Sequence, residues 1–288
     1  MISEQLQKKI DRSIKLLQSV AKGFDGEIEV AYSGGKDSDV ILQLAKEAGI
    51  KFRAIYKNTT IDPPGTIKHA KEMGAEVRRP EKNFFQLVAE MGAPNRYQRH
   101  CCRYLKEYKV LDKVIMGVRK SESKARNDRY NEPTECKWYG AKREENHVEA
   151  IYPILNWTDD DVLQFILDRK IQLAPRYYDS GGQIHIDRRL GCMCCPLASI
   201  NKRIAQFKEW PRMVRGYLRA QKKFFDTHPD SKSCQYFKGD VYKWFVRDVF
   251  YNSHAEFERA TDNGLFADME EIDYKAFLEE QFGIDLTL

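Results

Sequence analysis

A predicted strand, a glycine-rich turn and a predicted helix follow one another near the start of the chain. Glu27–Tyr32 alternates like a half-buried strand, and the apolar spacing of Asp39–Ala48 predicts an amphipathic helix. Between them lies SGGKDS, whose glycines let the backbone turn tightly and bring its N–H groups toward an anion. The start of the helix adds the positive end of its dipole. The predicted anion-binding residues are Ser33, Gly34, Gly35, Lys36, Asp37 and Ser38.

Strands and helices alternate over the first two thirds of the chain. Strands are predicted at 27–32, 52–56, 75–77, 113–117 and 149–154, and helices at 3–23, 39–48, 66–73, 84–91 and 162–169. This order predicts an α/β fold with a doubly wound parallel sheet and helices on both faces. Ligands of such folds bind beyond the carboxyl ends of strands, here after Tyr32, Tyr56 and Met116.

The strand pattern ends near Leu197, and the rest of the chain has helical spacing. We therefore predict an N-terminal helix at 1–24, an α/β domain with the glycine-rich loop and a cysteine cluster at 25–200, and a helical C-terminal extension at 201–288.

Composition excludes several classes of protein. The 288 residues are 42% hydrophobic and 12% aromatic, which is too apolar for a disordered chain. Because no apolar stretch approaches the ~20 residues of a membrane helix, and because the first residues lack the apolar core of a signal peptide, we expect a cytoplasmic protein with no membrane contact.

A basic stretch at 201–225 carries eight Lys or Arg against one Glu, within a net charge of +5 for the whole chain. Aromatic residues are interleaved with these cations, among them Trp210, Tyr217, Phe224 and Phe225. The pattern fits a nucleic-acid groove, and equally an amphipathic helix that packs its aromatic residues inward.

Five of the seven cysteines lie in two tight groups, Cys101-Cys102 and Cys192-Met-Cys194-Cys195. In a chain without an export signal this grouping indicates a metal or redox site rather than disulfides. Thiolate ligation of four positions suits either zinc or a 4Fe–4S cluster. Neighbouring cations would stabilise such an anionic centre, and they are Arg99, Arg103, Lys106, Arg188 and Arg189.

Four ordered stretches resemble one family. SGGKDS, NTTIDPPGT at 58–66, GVRKSESKAR at 117–126 and DSGGQIHIDRRLGCMCCP at 179–196 are similar to motifs of the phosphoadenylyl-sulfate and adenylyl-sulfate reductases. These enzymes belong to the PP-loop ATP pyrophosphatase superfamily, which has the adenine nucleotide alpha hydrolase-like, Rossmann-like fold. The resemblance covers about residues 27–200 and implies that the chain binds ATP or an adenosine phosphosulfate.

The resemblance also implies roles for individual residues. Asn58 and Thr59 would lie near the adenosine, and Gly117 belongs to the segment that carries Arg119 and Arg126. Lys36, Arg119 and Arg126 are the predicted catalytic residues, because guanidinium and ammonium groups match phosphate or sulfate oxygens. Asp37 would position the loop or a Mg²⁺ ion. The resemblance favours a 4Fe–4S cluster over zinc, and its predicted ligands are Cys101, Cys102, Cys192 and Cys195.

The resemblance breaks at the ECGLH-type segment, which carries the nucleophilic cysteine of the reductases and has no match here. Three functions therefore stay open. One is sulfonucleotide reduction, with Cys234 or the thiol of an electron-donor protein as nucleophile. A second is ATP pyrophosphatase activity that prepares a nucleic acid for sulfur modification, similar to DNA phosphorothioation or tRNA thiolation. The third is a nucleotide-sensing scaffold without turnover.

Overall fold

The structure is a computed structural model that describes residues 2–139, 146–251 and 272–288. It divides into two compact units, the first formed by Met1–Pro80 with Cys102–Gly191 and the second by Glu81–Cys101 with Cys192–Leu288. The predicted boundaries at 24 and 200 stay predictions, and residues 252–271 of the predicted extension lie outside the described residues.

The elements are numbered in chain order over the described residues. The strands are β1 Ile28–Tyr32, β2 Phe52–Lys57, β3 Glu76–Arg78, β4 Lys113–Ile115, β5 Thr134–Tyr139 and β6 Asn146–Ile151. The helices are α1 Glu4–Ala21, α2 Lys36–Glu47, α3 Thr66–Glu72, α4 Phe84–Met91, α5 His100–Leu105, α6 Lys124–Arg129, α7 Asp159–Asp168, α8 Ile200–Glu209, α9 Arg212–Thr227, α10 Lys232–Phe237, α11 Val241–Trp244 and α12 Tyr274–Phe282. A π-helical turn, Phe245–Phe250, follows α11.

The six strands form one sheet in the order β3-β2-β1-β4-β6-β5. Neighbours pair in parallel from β3 to β6, with Val30 opposite both Ala54 and Ile115. This confirms the predicted α/β fold with a helical C-terminal region. The sheet differs from the prediction at β5, an edge strand that runs antiparallel to β6 and that the strand pattern did not indicate.

The central strands are buried on both faces. Successive residues of a strand point to opposite faces of the sheet. Ile115 packs in the core that contains residues of α1, α2 and α7, whereas Val114 packs in a separate cluster with Val148 and Tyr152. The core therefore fixes β4 beside β1 and brings the residues that follow both strands to the same edge of the sheet.

Helix α7 begins at Asp159, three residues before the start that its apolar spacing predicts. Thr158 Oγ1 accepts the Asp161 N–H at 3.2 Å, and the Asp161 carboxylate accepts the Thr158 N–H at 2.7 Å. This reciprocal capping box satisfies two backbone donors at the start of the helix.

The second unit has an aromatic core. Tyr217 of α9 packs edge-to-face against Phe84 and Phe85 of α4, and also against Phe207 and Phe245. Helix α4 precedes α8 by more than a hundred residues, yet it belongs to this unit, where its two phenylalanines pack against Tyr217. Across the described part of the chain, no helix combines the length and the apolar character needed to cross a membrane.

Candidate functional site

The glycine-rich loop connects the end of β1 to the start of α2. Gly34 has φ +76°, a conformation that favours glycine, and Gly35 is the residue that precedes the first helical residue, Lys36. Ser38 Oγ donates to the Gly35 carbonyl at 2.7 Å and lies 3.3 Å from Ser33 Oγ. The loop therefore presents its backbone at a helix N-terminus, where anions are stabilised.

Two close approaches leave no room for a side chain. A Cβ at Gly34 would lie 2.8 Å from Thr66 Cγ2, so the loop is packed against the start of α3. A Cβ at Gly117 would lie 2.9 Å from the backbone oxygen of Asp37. Gly117 follows β4, the neighbour of β1, and thus lets the first turn of α2 pass close to the end of that strand.

Lys36 is held inside the loop rather than extended into solvent. Its side chain is 3% exposed, and Nζ lies 3.7 Å from the Asp37 carboxylate and 6.0 Å from the centre of the Tyr177 ring. Burial lowers the pKa of the Lys36 ammonium, an effect that Asp37 opposes and the positive charge of Arg119 reinforces. An anionic ligand at the loop would meet a lysine whose charge is poorly solvated.

The Arg119 side chain is buried and hydrogen-bonded to three side chains of the protein. Its side chain is 1% exposed, Nε donates to Asp37 at 2.7 Å, and one terminal nitrogen donates to Asp159 at 2.8 Å. The other terminal nitrogen donates to Ser121 Oγ at 3.0 Å. Its predicted contact with phosphate or sulfate stays a prediction, and in this structure Arg119 orients Asp37.

Two further arginines of the first unit influence the loop. Arg126 forms an ion pair with Glu122, and burial lowers the pKa of its guanidinium, helped by the charges of Arg189 and Arg119. Arg189 donates to the Glu122 carbonyl at 2.7 Å and also lowers the pKa of Lys36. The predicted role of Arg189 beside the cysteines stays a prediction, and its charge also acts on the loop lysine.

The Tyr177 hydroxyl lies on the loop backbone, a contact that the sequence gave no sign of. The Lys36 N–H donates to it at 3.1 Å and the Leu190 N–H at 3.4 Å. Tyr177 is 2% exposed, and burial raises the pKa of its hydroxyl to about 12. The tyrosine is therefore neutral at physiological pH.

A buried polar cluster lies behind the loop, where Asp39 of α2 accepts hydrogen bonds from the Tyr32 hydroxyl and pairs with His69 of α3. The His69 Nε2 atom lies 3.1 and 3.2 Å from the two carboxylate oxygens, and Asp39 is fully buried. Burial raises the pKa of Asp39, whereas the hydrogen bonds from His69 and Tyr32 oppose the rise. The cluster ties α3 to α2.

The segment after β2 is organised by Asp62. Its carboxylate accepts the Thr59 N–H at 2.9 Å, the Thr59 hydroxyl at 2.6 Å and the Tyr56 hydroxyl at 2.6 Å. Asn58 Oδ1 accepts the Thr60 N–H at 2.7 Å. Thr59 is 1% exposed, so its side chain shapes the turn, while Asn58 is half-buried. Their predicted place near an adenosine stays a prediction.

The predicted cysteine ligands are divided between the two units. Cys102 belongs to the first unit, and Cys101, Cys192 and Cys195 belong to the second. Cys101 and Cys102 are consecutive residues of α5, and Cys192 and Cys195 are half-buried. In the second unit, burial raises the pKa of Tyr217, and the charges of Cys194, Cys101 and Cys195 add to the rise. Thiols from two stretches of the chain, at 101 and at 194–195, thus influence the same tyrosine. Within residues 2–139, 146–251 and 272–288, no three His, Cys, Asp or Glu side chains are grouped so that they could hold a metal ion.

The other cysteines differ in exposure. Cys194 is 1% exposed, burial raises the pKa of its thiol, and its N–H donates to the Gln206 side chain at 2.9 Å. Cys136 is exposed on β5, and Cys234 Sγ lies 3.9 Å from the Phe225 carbonyl. Burial thus makes Cys194 a poor thiolate ligand.

The match to known families decides the affiliation of the chain. Residues 27–198, more than half of the chain, match the family model described as the phosphoadenosine phosphosulfate reductase domain. The chain belongs to this reductase-domain family. The resemblance found in the sequence is thereby confirmed, and members of the family are PP-loop enzymes that use nucleotides.

Two proteins with similar sequences carry different names. An uncharacterized protein of Methanocaldococcus jannaschii is 29% identical over 238 residues, which is 77% of this chain and 54% of the relative. A sulfate adenylyltransferase subunit 2 of Maricaulis maris is 26% identical over 202 residues, which is 58% of this chain and 64% of the relative. The chain thus spans between about half and two thirds of the length of these relatives.

A solved member of the reductase-domain family is also similar. The phosphoadenylyl-sulfate reductase from Candida auris, in its phosphate complex, shares 15% sequence identity with a TM-score of 0.41. The similarity covers 62% of this chain and 95% of that chain.

The basic stretch of this family member packs its aromatic residues inward. Tyr217 and Phe225 of α9 are buried, and Phe224 is half-buried and stacked on His228 at 4.6 Å. The cations on the opposite face are exposed, and they are Arg212, Arg219, Lys222 and Lys223. The amphipathic alternative therefore explains the buried aromatic residues of α9.

Proposed function

We propose that this chain binds ATP or an adenosine phosphosulfate by its charged end at the loop Ser33–Ser38, and acts in sulfur transfer or reduction. The observation that carries the proposal is the loop itself: a left-handed Gly34, a helix that begins at Lys36, and a lysine side chain buried beside it. Backbone amides, a helix dipole and a desolvated ammonium together form a site for a multiply charged anion.

The chemistry of this site would be electrostatic. The loop and Lys36 would hold the pyrophosphate or sulfate as it leaves, and Arg126 and Arg189 would offset the negative charge that develops on it. Asp37, fixed by Arg119 at 2.7 Å and lying 3.7 Å from Lys36, would position the loop or one Mg²⁺ ion. Each of these residues acts through its place and charge rather than by proton transfer.

We also propose a 4Fe–4S cluster held by Cys101, Cys102, Cys192 and Cys195. The donor set is chemically suitable, because all four side chains carry sulfur and none of the four is buried as Cys194 is. A bound cluster would supply an electron-transfer centre. Protein purified anaerobically should be brown, absorb near ~400 nm and contain about four iron atoms per chain. A colourless protein with one tightly bound zinc ion would replace the cluster with a zinc site.

A second candidate function is ATP pyrophosphatase activity that activates a nucleic acid for sulfur modification. It is favoured by the exposed cations of α9, which can contact phosphates without any aromatic stacking. Pyrophosphate released from ATP only when a nucleic acid is present would favour this candidate. Sulfite released from an adenosine phosphosulfate and a reductant would favour reduction.

The binding test is a calorimetric titration of the full chain with ATP. A Lys36→Ala, Ser38→Ala variant should bind ATP at least tenfold more weakly, because it loses the loop charge and a loop hydroxyl. The control is Lys46→Ala, which removes an exposed cation from the last turn of the same helix. Equal affinity of the double variant and the unaltered chain would refute the proposal. Tight binding without turnover of ATP or a phosphosulfate would favour a nucleotide sensor.

A further inference from the structure

We infer that Tyr177 is a ligand-binding residue of the loop, which offers its hydroxyl proton to an oxygen of the bound pyrophosphate or sulfate group. The inference rests on the proposed function and extends the site by one residue that follows α7 in the chain. In this arrangement the Tyr177 hydroxyl, rather than the Lys36 N–H, donates the hydrogen bond to the ligand.

The position of the hydroxyl is the first observation. It accepts the Lys36 N–H at 3.1 Å, and Lys36 is the first helical residue after the loop. A Cβ at Gly35 would lie 3.4 Å from the same oxygen, so the hydroxyl also lies beside the second glycine of the loop. The Tyr177 hydroxyl therefore already accepts a backbone N–H at the helix N-terminus, where an anion would otherwise accept it.

The hydrogen-bond inventory of the hydroxyl is the second observation. The oxygen accepts two N–H groups, from Lys36 and from Leu190 at 3.4 Å, and thus both of its lone pairs are in use. Among the residues that the structure describes, its own proton has no acceptor. The side chain is 2% exposed, and a buried donor without an acceptor is costly. A ligand oxygen would satisfy it.

The ionisation state agrees with donation. Because burial raises the pKa of the Tyr177 hydroxyl to about 12, it keeps its proton throughout the physiological range. Leu190 lies beside the same site, with side-chain atoms 3.5 and 3.9 Å from Cβ positions built at Gly34 and Gly35. The apolar side chain limits access of water to the loop, which strengthens a hydrogen bond to a charged oxygen.

The test is a Tyr177→Phe variant of the full chain, titrated with pyrophosphate, ATP and adenosine. We expect pyrophosphate and ATP to bind about tenfold or more weakly, because a hydrogen bond to a charged group is lost, while adenosine binds unchanged. The matched control is Tyr178→Phe. The Tyr178 hydroxyl also accepts a backbone N–H, from Leu173 at 3.0 Å, so its loss lowers the melting temperature without changing pyrophosphate binding.

The outcomes separate the inference from the proposed function. If the unaltered chain binds neither ATP nor pyrophosphate, the proposed function fails. If the unaltered chain binds them and Tyr177→Phe binds them equally or more tightly, the inference alone is overturned, since Tyr177 then only blocks the Lys36 amide. Should Tyr177→Phe not fold, fluorotyrosine placed at 177 replaces it. Its ¹⁹F signal must shift on addition of pyrophosphate, and an unchanged signal overturns the inference.

Discussion

Replacing Gly117 with alanine should loosen the loop from the sheet. The new Cβ would lie 2.9, 3.0 and 3.1 Å from the backbone O, the backbone C and the Cβ of Asp37. Two of these atoms are backbone, so no rotamer change relieves the contact and the first turn of α2 must shift. Overpacking costs about 1–3 kcal/mol, against a gain of about 0.4–1 kcal/mol from the stiffer unfolded chain. We expect a net loss of about 1–2 kcal/mol.

Differential scanning fluorimetry and ATP titration measure this prediction. A loss of about 1–2 kcal/mol lowers the melting temperature by about 2–8 °C in a unit of this size, and the displaced loop should bind ATP about tenfold more weakly. Gly191→Ala is the matched control, because a Cβ there meets nothing within 4 Å and its φ is not left-handed. It should leave the melting temperature equal or slightly higher. Equal behaviour of the two variants would refute the packing argument.

Three further predictions test the site and the aromatic core. Burial lowers the pKa of the Lys36 ammonium below its ordinary value of 10.5, so Lys36 loses its charge at a lower pH than a free lysine. ATP affinity measured from pH 7 to 10 should therefore fall toward high pH in the unaltered chain and stay level in Lys36→Arg. Gly216→Ala should lower the free energy of unfolding, because its Cβ would lie 2.5 Å from the Phe85 ring and this clash outweighs the helix preference of alanine, about 1 kcal/mol. In a Phe85→Ala background the clash is absent, and the same change should raise the free energy of unfolding. His69→Ala should cost about 1–3 kcal/mol in urea denaturation because it leaves the buried Asp39 carboxylate with fewer donors, and a His69→Gln variant that is equally unstable would contradict this reason.

The loop and its neighbours could be predicted because their signals are local. The alternation of 27–32, the two glycines and the helical spacing of 39–48 lie within about twenty residues and agree with one another. The capping box of α7 is also a local pattern, because Thr158 and Asp161 are the first and last of four consecutive residues. Such patterns specify a strand, a turn or a helix start without any knowledge of tertiary contacts.

Residues far apart in the chain were harder to place. Arg119 is predicted to meet an external oxyanion, yet it donates to Asp37 and Asp159, which are 82 and 40 residues away. The Tyr177 hydroxyl reaches Lys36 across 141 residues. A guanidinium or phenol has the same donors whether its acceptor is a ligand or a carboxylate. The sequence therefore indicates the chemistry of a side chain but not its partner.

Short elements were missed for a different reason. Helix α5 has only six residues, which is less than two turns, so no apolar period can develop in it. Strand β5 lies at the edge of the sheet and pairs with β6 alone among the described strands. An edge strand is less buried than a central one, so its sequence shows no continuous apolar run that would indicate a strand. The predicted sheet was therefore wholly parallel, whereas the structure has one antiparallel edge.

The chain leaves the first unit at residue 80 and returns to it at residue 102. A single cut cannot separate the two units, because any fragment that ends near residue 200 keeps Phe84 and Phe85 but loses Tyr217, on which they pack. Such a fragment would carry a bare aromatic surface and tend to aggregate. A fragment that represents the first unit should therefore omit 81–101 as well as the residues after 191.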